Sequence, residues 1–284
     1  MEKELLTNVH SALKLPRRIS SECIHRLFHY TNYKSKAEIV GDKNIVFKPS
    51  RVDKFLDKNE GIQILEPYYH ACGDLYESGV IDKNFFLILK EIKEEDLLAR
   101  FSNTWVLSFS KNANSTFMKR RYAAGDGWIL GIPFDLLDNV CIDFPEKSGI
   151  IDLYEVEYSF DKVFLFIKES LSKYYEIYKS NSNYSCDSEN IIKDIVDWLG
   201  AQSLVYKSPI YKQEEEIRLV CKFAPGFTSY KSRKHNVEFK SSIDGYNAVM
   251  EIIFDKKYLT YESQNLNDCF DVKLNKTILA RDEI

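Results

Sequence analysis

Apolar residues recur along this chain with two different periods. Spacings of three and four predict helices over residues 2–15 (Leu5, Leu6, Val9, Ala12, Leu13), through much of 61–100, and over 163–178 and 191–199. Within 61–100, Asp82 stands as a helix cap ahead of Phe85, Phe86, Leu89 and Ile92. Alternation or enrichment in aromatic and β-branched residues predicts strands at Arg26–Thr31, 45–47, 105–110, 151–159 and 247–254. Trp128-Ile-Leu-Gly-Ile132 is apolar throughout, as in a strand covered on both faces.

The most informative stretch runs from Tyr211 to Phe223. Ile217, Leu219, Cys221 and Phe223 alternate with Glu214, Glu216 and Arg218, the period-two pattern of a half-buried strand. Two carboxylates and a guanidinium thus share a face, and the two acids repel unless Arg218 or a ligand neutralises them. Either the face is solvated and carries an ion pair, or it belongs to a site.

Between residues 105 and 132 the chain reads as strand, capped helix, glycine turn and strand. Asn112, Asn114 and Ser115 supply turn and cap residues, the helix spans 117–123, and Gly125 and Gly127 end it. Its Lys119, Arg120 and Arg121 form either a solvated basic face or a phosphate contact. His29 on the first strand shares a face with Leu27 and Thr31. It stands four residues from His25, which on a strand is too far for a shared metal, and no third ligand is near, so no metal site is expected.

The strands and helices alternate without regular βαβ periodicity, which predicts an α+β class of largely antiparallel strands in two packed sheets, with surrounding helices and a central cleft. With 284 residues and no low-complexity tract, the expectation is a single domain over 1–284 with its core over about 20–260. The polar stretch 180–188 is an ordinary loop length, and 265–270 begins a last short element.

Aromatic residues make up 14% of the chain and charged residues 29%, a composition that folds. The net charge of -4 gives no global attraction to nucleic acid or to an anionic membrane, so such binding would be local, at 119–121 or at Lys231, Arg233 and Lys234. Six cysteines without close pairing fit a reduced, cytoplasmic chain. Neither a signal-peptide layout nor a membrane-length apolar run is present. Dinucleotide-fold, phosphate-loop, zinc-protease, serine-hydrolase and kinase motifs are also missing.

Three fragments taken in order carry a resemblance: His29-Tyr-Thr31, the block from Ser108-Phe-Ser110 through Met118-Lys-Arg-Arg-Tyr-Ala123 to Gly127-Trp-Ile-Leu-Gly131, and Glu214-x-Glu216-x-Arg218. Together, over residues 26 to 254, they resemble a large bacterial family of domains of unknown function that looks like a divergent branch of the ADP-ribosyltransferase-like fold. Lys119 stands where that family usually has Trp, and the family's Asn-Asp motif near residues 50 to 60 is missing unless Asp53 stands in for it.

The resemblance implies an NAD-dependent enzyme that cleaves the nicotinamide–ribose bond and transfers ADP-ribose to a protein or nucleic-acid acceptor, as a toxin or defence effector with an antitoxin or other partner protein would. Its implied catalytic set is Glu216 beside the ribose, Glu214 toward the acceptor, His29 on the ribose or nicotinamide, and Tyr122 stacked on the nicotinamide ring. Tyr30 and Thr31 join the NAD-binding set, and Arg218 or Arg120 and Arg121 meet the pyrophosphate. The alternatives are an NAD glycohydrolase and a non-catalytic nucleotide- or nucleic-acid-binding module. An enzyme requires His29 and Glu216 in one cleft, whereas a module requires only that basic patches converge.

Overall fold

The structure is a computed structural model and describes residues 24–32, 38–55, 59–101, 103–123, 127–180, 188–232, 234–235, 237–244, 247–255, 257 and 260–263. The helix expected over 2–15, Gly125, the loop 181–187, Arg233, and the element expected over 265–270 lie outside the described residues. The fold is α+β, with two antiparallel sheets and helices. Among the described residues no helix is long and apolar enough to cross a membrane.

In chain order the strands are β1 (Arg26–Thr31), β2 (Asn44–Phe47), β3 (Ser50–Arg51), β4 (Thr104–Ser110), β5 (Trp128–Pro133), β6 (Gly149–Glu155), β7 (Glu216–Phe223), β8 (Ser229–Ser232), β9 (Val237–Asp244), β10 (Asn247–Asp255) and β11 (Thr260–Ser263). The α-helices are α1 (Leu65–Glu77), α2 (Lys83–Lys90), α3 (Glu94–Leu98), α4 (Thr116–Tyr122), α5 (Phe134–Asp143), α6 (Phe160–Ser180) and α7 (Ser188–Ser203).

The chain forms two compact units whose segments interleave. One comprises Val52–Ser102 and Val156–Lys212 and is helical, built from α1, α2, α3, α6 and α7. Asp82 caps α2 as its sequence position predicts, accepting from the Phe85 N–H at 2.9 Å. Across this unit the Tyr175 hydroxyl donates to the second oxygen of Asp82 at 3.1 Å, so the capping carboxylate also ties α6 to α2. Phe85 packs on Tyr175, with ring centroids 5.2 Å apart. Cys72 is buried in α1, and burial pushes its thiol up to about 12, which makes it unreactive.

The other unit holds Asn103–Glu155 with the described parts of Arg18–Arg51 and Gln213–Ile284, and contains both sheets. The larger sheet runs β11-β5-β1-β4-β7-β6, with β3 beside β4, and the smaller runs β2-β10-β9-β8. Every pair of named strands is antiparallel, as expected.

Alternation decides which side chains fill the space between the sheets. Leu27 of β1, Leu107 and Phe109 of β4, Leu130 and Ile132 of β5, and the odd residues of β7 meet Phe47, Phe239, Ile252 and Phe254 from the smaller sheet in one apolar core. Truncating one of these rings, Phe109 for example, would cost about 3–5 kcal/mol. Along these residues the expected central cleft is instead a packed apolar layer, because both sheets present their large side chains inward.

β7 corrects the expectation of half-burial. It lies inside the sheet between β4 and β6, and all its residues but Lys222 are buried. Gly149 opens β6 at φ 133°, where an added Cβ would sit 2.2 Å from the Lys222 carbonyl oxygen, so the close pairing of β6 with β7 depends on glycine there. Five elements of this unit escaped the periodicity reading: α5, which follows Pro133 directly, β8 and β9 around the basic stretch, and the short strands β3 and β11.

Candidate functional site

The outer face of the larger sheet, opposite the apolar core, carries the polar residues of the motifs. Register puts Ser110 opposite Glu216, Ser108 opposite Arg218, and Phe28 opposite Ser110, so Phe28, Tyr30, Ser108, Ser110, Glu216 and Arg218 share that face. Helix α4 packs there through Met118 and Ala123 against Tyr30 and Ile129.

Tyr30 fixes where α4 begins. Its hydroxyl donates to the Asn112 carbonyl and accepts from the Ser115 N–H at 3.2 Å. Ser115 caps the helix, accepting from the Met118 N–H at 3.2 Å, and its hydroxyl reaches the Gln213 carbonyl at 3.5 Å. The sequence marks the cap; the tie to Gln213 aligns α4 with the start of β7.

Glu214 is not on the strand, as the alternation suggested, but ends the 3-10 helix Pro209–Glu214. Glu215 then takes a positive φ of 45°, a left-handed conformation costing about 1–2 kcal/mol for a residue with a Cβ, and β7 starts at Glu216. The Glu215 carbonyl accepts from the Lys111 N–H at 3.1 Å, which holds this reversal against the end of β4. The strained residue thus separates two buried acids, Glu214 at 1% and Glu216 at 3% exposure.

Each acid has its own partner. Arg218, fully buried, grips Glu216 through both oxygens, Nε to Oε1 at 2.9 Å and Nη2 to Oε2 at 3.2 Å. The solvated-face alternative is thereby removed: this is a buried fork-to-fork ion pair. Glu214 Oε1 accepts from the Tyr122 hydroxyl at 2.8 Å and lies 3.7 Å from Arg121 Nε. The Arg121 guanidinium sits 5.5 Å from the Tyr122 ring centroid and 5.8 Å from that of Phe117.

Beyond Arg121 opens a hollow of about 480 Å³, lined by Thr116, Phe117, Arg120, Arg121 and Gln213. Arg120 and Arg121, which the sequence marks as a basic face, are both exposed and lie side by side along it. Phe117 stands four residues before Arg121, a helical spacing that could have paired them. Gln213 carries no local signal, because only the approach of the strand start to α4 brings it in.

His29 and Thr31 do not join this group. They alternate with Tyr30, and His29 points into the inter-sheet core, edge-on to Phe47 at 5.2 Å and near Phe109 at 6.2 Å. Its Nδ1 bonds the Ser108 carbonyl at 2.9 Å, and burial lowers its pKa below the usual 6.5 despite that bond. The expected convergence of His29, Tyr122 and Glu216 is therefore corrected. Tyr122 and both acids share the outer-face neighbourhood, while His29 lies through the sheet from them. The physical reason is the pairing register, which sets Phe28 rather than His29 level with Glu216.

The second basic stretch is engaged elsewhere, with His235 Nε2 2.9 Å and Lys234 Nζ 3.8 Å from Asp143 Oδ2 at the end of α5. Comparison with protein-family models, with curated proteins and with solved structures finds no match.

Proposed function

We propose that this chain is an ADP-ribosyltransferase-like enzyme of the cytoplasm that uses NAD and transfers ADP-ribose to a macromolecular acceptor, as a toxin or defence effector. One observation carries the proposal: two buried carboxylates flank a strained residue at the head of a central strand, one fixed by an arginine fork and the other bonded to a tyrosine beside an open hollow. The α+β fold with two packed antiparallel sheets is compatible with an ADP-ribosyltransferase-like domain.

In this reading Glu216, held in one orientation by Arg218, provides the negative charge that stabilises an oxocarbenium-like transition state at the ribose. Orientation fixed before reaction is the quality such a charge needs, since no reorganisation then opposes the step. Glu214, nearer the hollow, accepts the proton of the attacking acceptor group, with the Tyr122 hydroxyl holding its carboxylate in place. His29 and Thr31 take structural roles, the one as a core residue bonded to β4 and the other as a buried strand end.

A second reading, a nucleotide-binding module without turnover, is favoured by the burial of Glu216 under both Arg218 contacts and by the position of His29. Nicotinamide release from NAD separates the two. The enzyme reading expects release by the wild type and a loss of about 10²–10³ in rate for Glu216→Gln, with NAD affinity little changed. A wild type that binds NAD or nucleotides but releases no nicotinamide, with or without acceptors, leaves the module.

A further inference from the structure

We infer that the hollow beside Glu214 binds single-stranded nucleic acid, one base stacking on Phe117 and the flanking phosphates meeting Arg120 and Arg121, which makes nucleic acid rather than protein the acceptor. The acceptor role rests on the transferase reading above, whereas the binding stands on the hollow alone.

The lining combines the three chemistries that recognise an unpaired nucleotide. Phe117 is half-buried and offers a ring, and the Arg121 guanidinium, about 40% exposed, lies close to both the Phe117 and Tyr122 ring centroids, at 5.8 and 5.5 Å. Aromatic faces and guanidinium planes are the surfaces on which splayed-out bases stack. Arg120 adds a second cation, and α4, Thr-Phe-Met-Lys-Arg-Arg-Tyr, contains three basic residues and no acid. Thr116 and Gln213, both exposed, supply donors and acceptors for a base edge.

Basic residues at the end of a short helix also suit the helix dipole, and Arg121 has Glu214 as a partner. The ion pair accounts for Arg121 alone; Arg120 lines the same hollow, and its cation adds to the local positive field. A basic protein side chain as acceptor would meet two like charges on entry, whereas a polynucleotide meets two phosphate ligands.

Placement beside Glu214 completes the chemistry. A base nitrogen or sugar hydroxyl attacks C1′ of the NAD ribose, and the C1′–nitrogen bond to nicotinamide breaks. Its electron pair leaves with the nicotinamide, neutralising the ring, and the proton of the attacking group passes to the Glu214 carboxylate. Arg120 and Arg121 then hold acceptor phosphates in place of the donor pyrophosphate that the resemblance implies for them.

The test uses the full chain and a fluorescent single-stranded oligonucleotide of about 12 nucleotides, as DNA and as RNA, a length within the site sizes of single-strand binders. Anisotropy should report binding that weakens steeply with salt, and Phe117→Ala and Arg120→Ala should each weaken it about tenfold. With labelled NAD, the label should appear on the oligonucleotide. Absence of binding by the wild type, or binding indifferent to both substitutions, overturns the inference. Displacement of the oligonucleotide by NAD alone also overturns it, because the hollow would then be the donor's, and so does label appearing on added protein but not on nucleic acid. Binding as expected without any nicotinamide release supports the hollow's occupant and removes the transferase reading.

Discussion

Arg218→Met leaves the Glu216 carboxylate at 3% exposure with neither of its two guanidinium contacts, at 2.9 and 3.2 Å. Were the pair on a solvated face, losing it would cost about 0.2–1 kcal/mol. Buried, the stranded charge should cost about 3–5 kcal/mol, because desolvation of the carboxylate is no longer offset. Replacing both members, Glu216→Leu with Arg218→Met, removes the uncompensated charge along with the pair and should recover most of the loss, so in a double-mutant cycle the two single losses together should exceed the double loss by at least about 3 kcal/mol. Equilibrium urea unfolding of the wild type, both single variants and the double variant gives the four free energies, provided the slopes agree. A cost under about 1 kcal/mol for Arg218→Met, or additivity across the cycle, would show that the pair is not the sealed unit described, and the argument for a fixed catalytic charge would fall with it.

Two further predictions address the same neighbourhood. Glu215→Gly relieves the φ of 45° and should stabilise the protein by about 0.5–1 kcal/mol in urea unfolding, the relief exceeding the added chain entropy, whereas Glu215→Ala should give no such gain. His29 has a folded pKa below its unfolded value near 6.5, so the unfolded chain binds the proton more readily. Its contribution to stability is complete above about pH 6.5 and is lost as pH falls from there through the folded value. His29→Phe should flatten the pH dependence of the unfolding free energy in that window, and an unchanged profile would refute burial of the neutral ring.

Much of this architecture follows from local pattern. Period-two alternation marks β4 and β7, enrichment in aromatic and β-favouring residues marks β1, and the caps Asp82 and Ser115 mark helix starts, because side-chain direction and cap bonding depend on residues within a turn or two of one another. The basic run on α4 and the Glu-x-Glu-x-Arg motif are equally local; Arg120 and Arg121 line the hollow, Glu214 meets Arg121, and Glu216 and Arg218 lie buried in the sheet. Alternation even separates His29 from Tyr30. It cannot say which of those two faces Glu216, since that depends on Phe28 pairing with Ser110 and Ser110 with Glu216, a register formed by strands far apart in the chain. Nor could alternation distinguish a solvated charged face from a buried one: Glu216 and Arg218 look the same in either case, and only their place inside the sheet seals them. The division into two interleaved units likewise has no local mark, because no single linker separates them. Sequence spacing determined which residue types stand together on each element; long-range strand pairing decided which faces meet, and so which residues form the site.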